Sequence, residues 1–152
     1  MKIKTLRDVL SWTQSFHQEL SNTFKELGDT SDSTRLQLLL EYLAEQEQSL
    51  ANVMDEFEET TSENALNTWC YDFLANNPIQ MIDTSEKPLS QWNTTEIINA
   101  VEKQHNQVIS LYRHLLGHVE TPSATDLVKK LLNLEEHEAM KMTQSANRLE
   151  DL

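Results

Sequence analysis

A helical apolar period recurs four times along this chain, each time over more than twenty residues, and each time it is interrupted near its middle by an ionisable side chain. The first stripe is Leu6, Val9, Leu10, Phe16, Leu20, Phe24 and Leu27, and the second Leu36, Leu39, Leu40, Leu43, Leu50, Val53, Met54 and Phe57. The third is Ile98, Val101, Val108, Tyr112, Leu115 and Val119, and the fourth Leu127, Leu131, Leu134, Glu138, Met142 and Leu149. Spacings of three and four place each set on one face of a helix. With only two glycines and three prolines, and no β-branched runs, little in the chain opposes helix. The expected fold class is all-α, a four-helix bundle.

Punctuation residues set the boundaries. Thr5 is a plausible N-cap, Gly28 is placed as the residue that stops the first helix, and the Asp29 to Asp32 connection is short and rich in capping residues. Asn93 or Thr94 caps the third helix, and Thr121 followed by Pro122 starts the fourth. The helices are expected over residues 5–27, 33–59, 94–119 and 122–151, all within one domain of 152 residues. Short connections make two antiparallel hairpins. Residues 60–93 form a crossover between them, too long to lack structure, with an amphipathic helix over 63–74. Trp69, Phe73 and Trp92 are expected to pin this crossover to the bundle, the third helix to run parallel to the second, and the polar tract 83–87 to be mobile.

A formal charge of −13 repels phosphate backbones, and no Lys/Arg cluster overcomes it locally, which argues against nucleic acid as partner. No apolar run approaches the roughly 20 residues needed to span a bilayer, and the N-terminus leads into an amphipathic helix rather than a signal segment. A cytoplasmic location is expected. The single cysteine, Cys70, has no internal partner and reads as a small hydrophobe.

The interruptions are His17 in the first stripe, Glu47 in the second, His105 in the third and Glu135 with Glu138 in the fourth. At about 1.5 Å rise per residue, all lie within a turn or two of the helix midpoints, so antiparallel helices of similar length bring them to one layer. Burying such groups costs several kcal/mol per ion unless they are paired or bound to metal. Imidazole and carboxylate are ligands for iron, manganese or zinc. The same layer without metal would be a Glu–His register device. His114 and His118 form a separate i,i+4 pair whose simplest reading is favourable charge at a helix C-terminus.

Helix text such as Leu43-Ala44-Glu45-Gln46-Glu47-Gln48, Val101-Glu102-Lys103-Gln104-His105 and Leu134-Glu135-Glu136-His137-Glu138 resembles the ferritin-like superfamily, particularly its rubrerythrin-like branch, over nearly the whole chain. The resemblance implies two helical hairpins joined by a long crossover. It also implies a two-metal centre built from a Glu on each of two helices and Glu-x-x-His on the other two. Against that pattern the first position is His17, Glu47 is followed three residues later by Leu50, the third position is His105, and Glu135 is followed by Glu138. No Cys-x-x-Cys pair is present for a rubredoxin-like iron site. The expected ligands are Glu47, His105, Glu135 and Glu138, with His17 a further candidate, and the metal is iron, manganese, zinc or none. The competing expectation is a non-catalytic structural or protein-interaction bundle that has lost its metal. Side-by-side homodimers of such bundles are plausible.

Overall fold

The computed structural model describes residues 3–70, 76–82 and 86–150. Four long helices dominate: α1 (Leu6–Thr30), α2 (Thr34–Thr60), α4 (Thr94–Leu116) and α5 (Pro122–Glu150), with a one-turn helix α3 (Glu63–Leu66) and a 3-10 turn (Leu89–Gln91) in the crossover. Capping side chains fix the starts. Thr5 and Asp8 form a reciprocal capping box on α1, and Asn93 and Glu96 form another on α4. Ser33 accepts from the Leu36 amide, and Thr121 from the Ala124 amide.

Cross-helix contacts give the topology. His17 meets Glu47, and Ser21 Oγ donates to the Ala44 carbonyl at 2.8 Å, so α1 and α2 run antiparallel. Glu47 meets His105 and Met54 meets Tyr112, two contacts with the same sequence offset, so α2 and α4 run parallel. The C-terminus of α2 and the start of α5 share one end of the bundle, where Phe57 and Thr60 lie across from Ser123 and Asp126. The crossover therefore returns the chain along the bundle's length. The core between the helices includes Leu10, Leu20 and Phe24, Leu40, Leu43 and Met54, Val108 and Tyr112, and Val128, Leu131 and Met142. Cys70 is buried with them.

Several expectations need correction. Gly28 does not stop α1, which continues to Thr30 and is closed by Ser31 donating to the Gly28 carbonyl at 3.4 Å. The polar residues Asp29 and Thr30 fit an exposed last turn at no cost, so no break was required there. The third helix ends at Leu116, with Gly117 as C-cap, rather than at residue 119. The crossover helix ends at Leu66, short of the expected residue 74; Phe73 and the tract 83–85 lie outside the described residues. Trp69 does not pin the crossover, since its side chain is 72 % exposed. Its backbone does that work, through an antiparallel bridge in which the Leu6 amide donates to the Thr68 carbonyl and the Cys70 amide to the Lys4 carbonyl. Trp92 is half-buried against the core, and its Nε1 donates to the Lys87 carbonyl at 2.9 Å.

A glycine inside a helix costs about 0.5–1 kcal/mol relative to alanine. A Cβ on Gly28 would lie 3.5 Å from Leu40 Cβ, an ordinary contact. Gly28→Ala is therefore expected to stabilise the protein by about 0.5 kcal/mol; a lower denaturant midpoint for the variant would show that the α1–α2 contact cannot take the methyl.

Candidate metal centre

Each long helix delivers one ionisable side chain to the same place. His17, Glu47, His105 and Glu135 lie at or beside the midpoints of α1, α2, α4 and α5, and none is more than 1 % exposed. Their positions on the apolar stripes aim them inward, and the antiparallel hairpins align the midpoints. His17 Nδ1 is 2.8 Å from Glu47 Oε1, and its Nε2 is 3.2 Å from Glu135 Oε2. His105 Nε2 straddles the other carboxylate, 3.1 and 2.8 Å from the two oxygens of Glu47. The two imidazole rings tilt toward each other with centroids 5.8 Å apart.

Ionised carboxylates only accept, so a histidine whose two ring nitrogens both face them donates twice and carries a positive charge. Burial would push His17 down, but Glu135 and Glu47 outweigh it and hold the ring up to about 10. Burial would push Glu47 up, but His105 and His17 hold it down to about 2. His105 follows the same balance: burial lowers it, Glu47 and Glu135 raise it, and the net shift is upward. Two buried atoms of the cluster have no hydrogen-bond partner among the described residues, His105 Nδ1 and Glu135 Oε1.

The surroundings complete the layer. Thr13 is buried below His17 and spends its hydroxyl on the Val9 and Leu10 carbonyls of its own helix. Tyr112 is fully buried with its hydroxyl 3.7 Å from Met54 Sδ, and burial followed by the charge of Glu135 raises its phenol well above the ordinary range. At the rim, Gln18 and Gln48 exchange reciprocal amide hydrogen bonds at 2.8 and 2.9 Å, tying α1 to α2 beside the buried pair. That clasp was readable as Gln following His17 and Gln following Glu47, and sequence reasoning passed over it.

One expected ligand is not in the cluster. Glu138 is displaced to the bundle edge, where its carboxylate lies 3.7 Å from Lys141 Nζ. On a straight helix the residue three after Glu135 is rotated some 60° away, and the Glu138 side chain is partly exposed. His17, placed last among the candidates by sequence, is central instead. His114 and His118 lie away from the layer in the last turns of α4, with rings 4.2 Å apart and His118 Nδ1 2.8 Å from the His114 carbonyl.

Ligand atoms of His17, His105 and Glu135 all lie within 4.8 Å of one another. Around an ion bound at about 2.1 Å the widest ligand separation is about 4.2 Å, so small side-chain shifts close the site. Leu50 and Glu138 stand three residues after Glu47 and Glu135, where the Glu-x-x-His pattern has histidines. Two carboxylates and two neutral imidazoles carry a charge that one divalent ion would balance.

No protein-family model matches the sequence, and no curated protein is significantly similar to it. Among solved structures the chain is similar to a crystal structure from Thermotoga maritima described as a ferritin-like diiron-carboxylate protein. The two share 17 % identity with a TM-score of 0.63, over 96 % of each chain. The fold is therefore ferritin-like. Among the described residues no helix is long and apolar enough to cross a membrane.

The shifts fix the sign of the pH dependence of the metal-free protein. His17 is raised, so its stabilising contribution is complete below its ordinary 6.5 and is lost as pH climbs toward about 10. Glu47 is lowered, so its contribution is complete above its ordinary 4.5 and is lost as pH falls toward about 2. Both are in full force between pH 4.5 and 6.5. Urea midpoints in about 0.5 M salt, which screens the acidic surface but not the buried pair, should be higher near pH 5.5 than near pH 8.5. A midpoint flat across that range would mean that His17 is not held charged by its carboxylates.

Proposed function

We propose that this chain is a rubrerythrin-like variant of the ferritin fold that binds one divalent metal ion, rather than two, at His17, His105 and Glu135, with Glu47 paired to the other ring nitrogens of the two histidines. The observation that carries the proposal is the convergence of fully buried imidazole and carboxylate ligand atoms within 4.8 Å. The partnerless His105 Nδ1 and Glu135 Oε1 support it, since an ion would give each a role. The diiron-carboxylate description of the Thermotoga maritima protein adds iron to the metals worth testing, beside manganese and zinc.

In this reading the chain's own residues do three things. Glu47 and Glu135 supply the negative charge, the two histidines give up protons so that their ring nitrogens can coordinate, and the Leu and Phe walls exclude water. A bound iron ion would supply one-electron chemistry toward oxygen or peroxide, whereas zinc would supply a fixed charge alone.

The alternative is a metal-free register device, favoured by the 2.8 Å contacts from Glu47 to both histidines, which already pair most of the buried charge. Elemental analysis of protein purified without chelator, before and after EDTA, separates the two. The metal site predicts about one equivalent per chain and its loss in His105→Ala, with dissociation constants rising roughly tenfold to hundredfold per unit fall in pH as one or two protons compete. At a hundredfold excess over Kd, the ion should add about 2.7 kcal/mol of stability. Metal-free protein that takes up no iron, manganese or zinc and melts identically with and without EDTA would leave the register device as the function of the layer.

A further inference from the structure

Glu47 offers its carboxylate to two imidazoles that come from two different helices. Its Oε1 lies 2.8 Å from His17 Nδ1 of α1, and its Oε2 lies 2.8 Å from His105 Nε2 of α4. An ionised carboxylate only accepts, so each of these ring nitrogens keeps its proton and donates. Glu47 is fully buried, where a carboxylate that loses a donor is costly. The register behind these contacts is held one residue further on, where Gln18 and Gln48 exchange amide hydrogen bonds at 2.8 and 2.9 Å.

The proton on one ring nitrogen decides what the other can do. With Nδ1 of His17 donating to Glu47, a neutral ring presents its lone pair at Nε2, which faces Glu135 Oε2 at 3.2 Å. With Nε2 of His105 donating, the lone pair of that ring falls at Nδ1, a buried atom with no hydrogen-bond partner among the described residues. Glu135 Oε1 is the other buried atom of the layer left without a partner there. His17, His105 and Glu135 thus each keep a ligand atom in reserve, and they are the three residues whose ligand atoms lie within 4.8 Å of one another. Glu47 spends both oxygens on the rings.

Given the single-ion site proposed above, on which this rests, we infer that Glu47 is a positioning residue and not a ligand: its one carboxylate sets opposite tautomers in two histidines, so that His17 coordinates through Nε2 and His105 through Nδ1. A carboxylate paired to the far nitrogen of a metal-bound imidazole fixes the ring's orientation and raises its basicity. Here a single group does so for both rings. At the position where the Glu-x-x-His pattern places a ligand, this chain has a residue that acts through its neighbours.

Long-range proton–nitrogen NMR on the isotope-labelled, zinc-loaded full chain tests it, because ring protons distinguish a protonated nitrogen from a metal-bound one. His17 should carry its proton on Nδ1 and zinc on Nε2, and His105 the reverse. Coordination of both rings through the same nitrogen would overturn the assignment. In Glu47→Gln the amide can accept from one ring but must donate to the other, so the zinc dissociation constant should rise about tenfold to hundredfold. Cobalt at saturation should nevertheless give that variant the visible spectrum of the unaltered protein, since no ligand has changed, whereas Glu135→Gln should alter it. Unchanged zinc affinity in Glu47→Gln, or a cobalt spectrum altered as in Glu135→Gln, would also overturn the role of Glu47. Protein that takes up neither zinc nor cobalt sinks the single-ion site and this role with it; zinc bound with another nitrogen pattern sinks this role alone. The nitrogen assignment uses the unaltered chain, so it decides the matter even where Glu47→Gln fails to fold.

Discussion

An imidazole ring clamped between two carboxylates at the middle of a hydrophobic bundle ties all four long helices to one another. His17 of α1 reaches Glu47 of α2 and Glu135 of α5, and Glu47 reaches on to His105 of α4. Each of these groups alone would cost several kcal/mol to bury. Apolar contacts between Leu-rich stripes tolerate slippage by a turn, because one leucine replaces another in the same groove. A layer of charged groups does not, since a slip of a turn in any helix strands an ion against leucine. A slip would therefore separate these pairs, while the apolar stripes above and below the layer provide the bulk of the stabilisation.

That arrangement bears on chemistry as well as on folding. The ferritin-like fold brings one position from each helix into the same layer, and this chain fills those positions with two carboxylates and two imidazoles. The positions three after Glu47 and Glu135 carry Leu50 and Glu138. In the proposed reading, the protons on the histidines and a divalent ion would compete for the same buried negative charge.

Among the described residues, the crossover that joins the two hairpins is held by the buried Leu66 and Cys70 and by backbone and amide groups. Thr68 and Cys70 pair with the segment preceding α1, and Gln80 pairs with the Gln107 side chain. Such anchoring leaves side chains of the crossover available to face outward, as Trp69 does, or to wall a cavity, as Met81 and Ile82 do. The polar mid-layer and the cavity thus belong to different parts of the fold, one to the helix midpoints and the other to the connection.

The apolar period, the capping residues Thr5, Asn93 and Thr121, and the scarcity of glycine and proline determined the four helices and most of their starts, because these are local properties of a helix. The same period marked His17, Glu47, His105 and the pair Glu135 and Glu138 as candidates for the interior, since each interrupts or borders an apolar stripe. Helix ends were less legible: polar residues such as Asp29 and Thr30 accept either an exposed last turn or a loop, and packing at the chain reversal chose between them. Which carboxylate of α5 enters the layer was decided by helix rotation, which placed Glu135 inside and gave Glu138 to Lys141. The pairing of His17 with two partners and the exposure of Trp69 depend on groups up to 118 residues apart meeting in space, and only the tertiary structure could supply them.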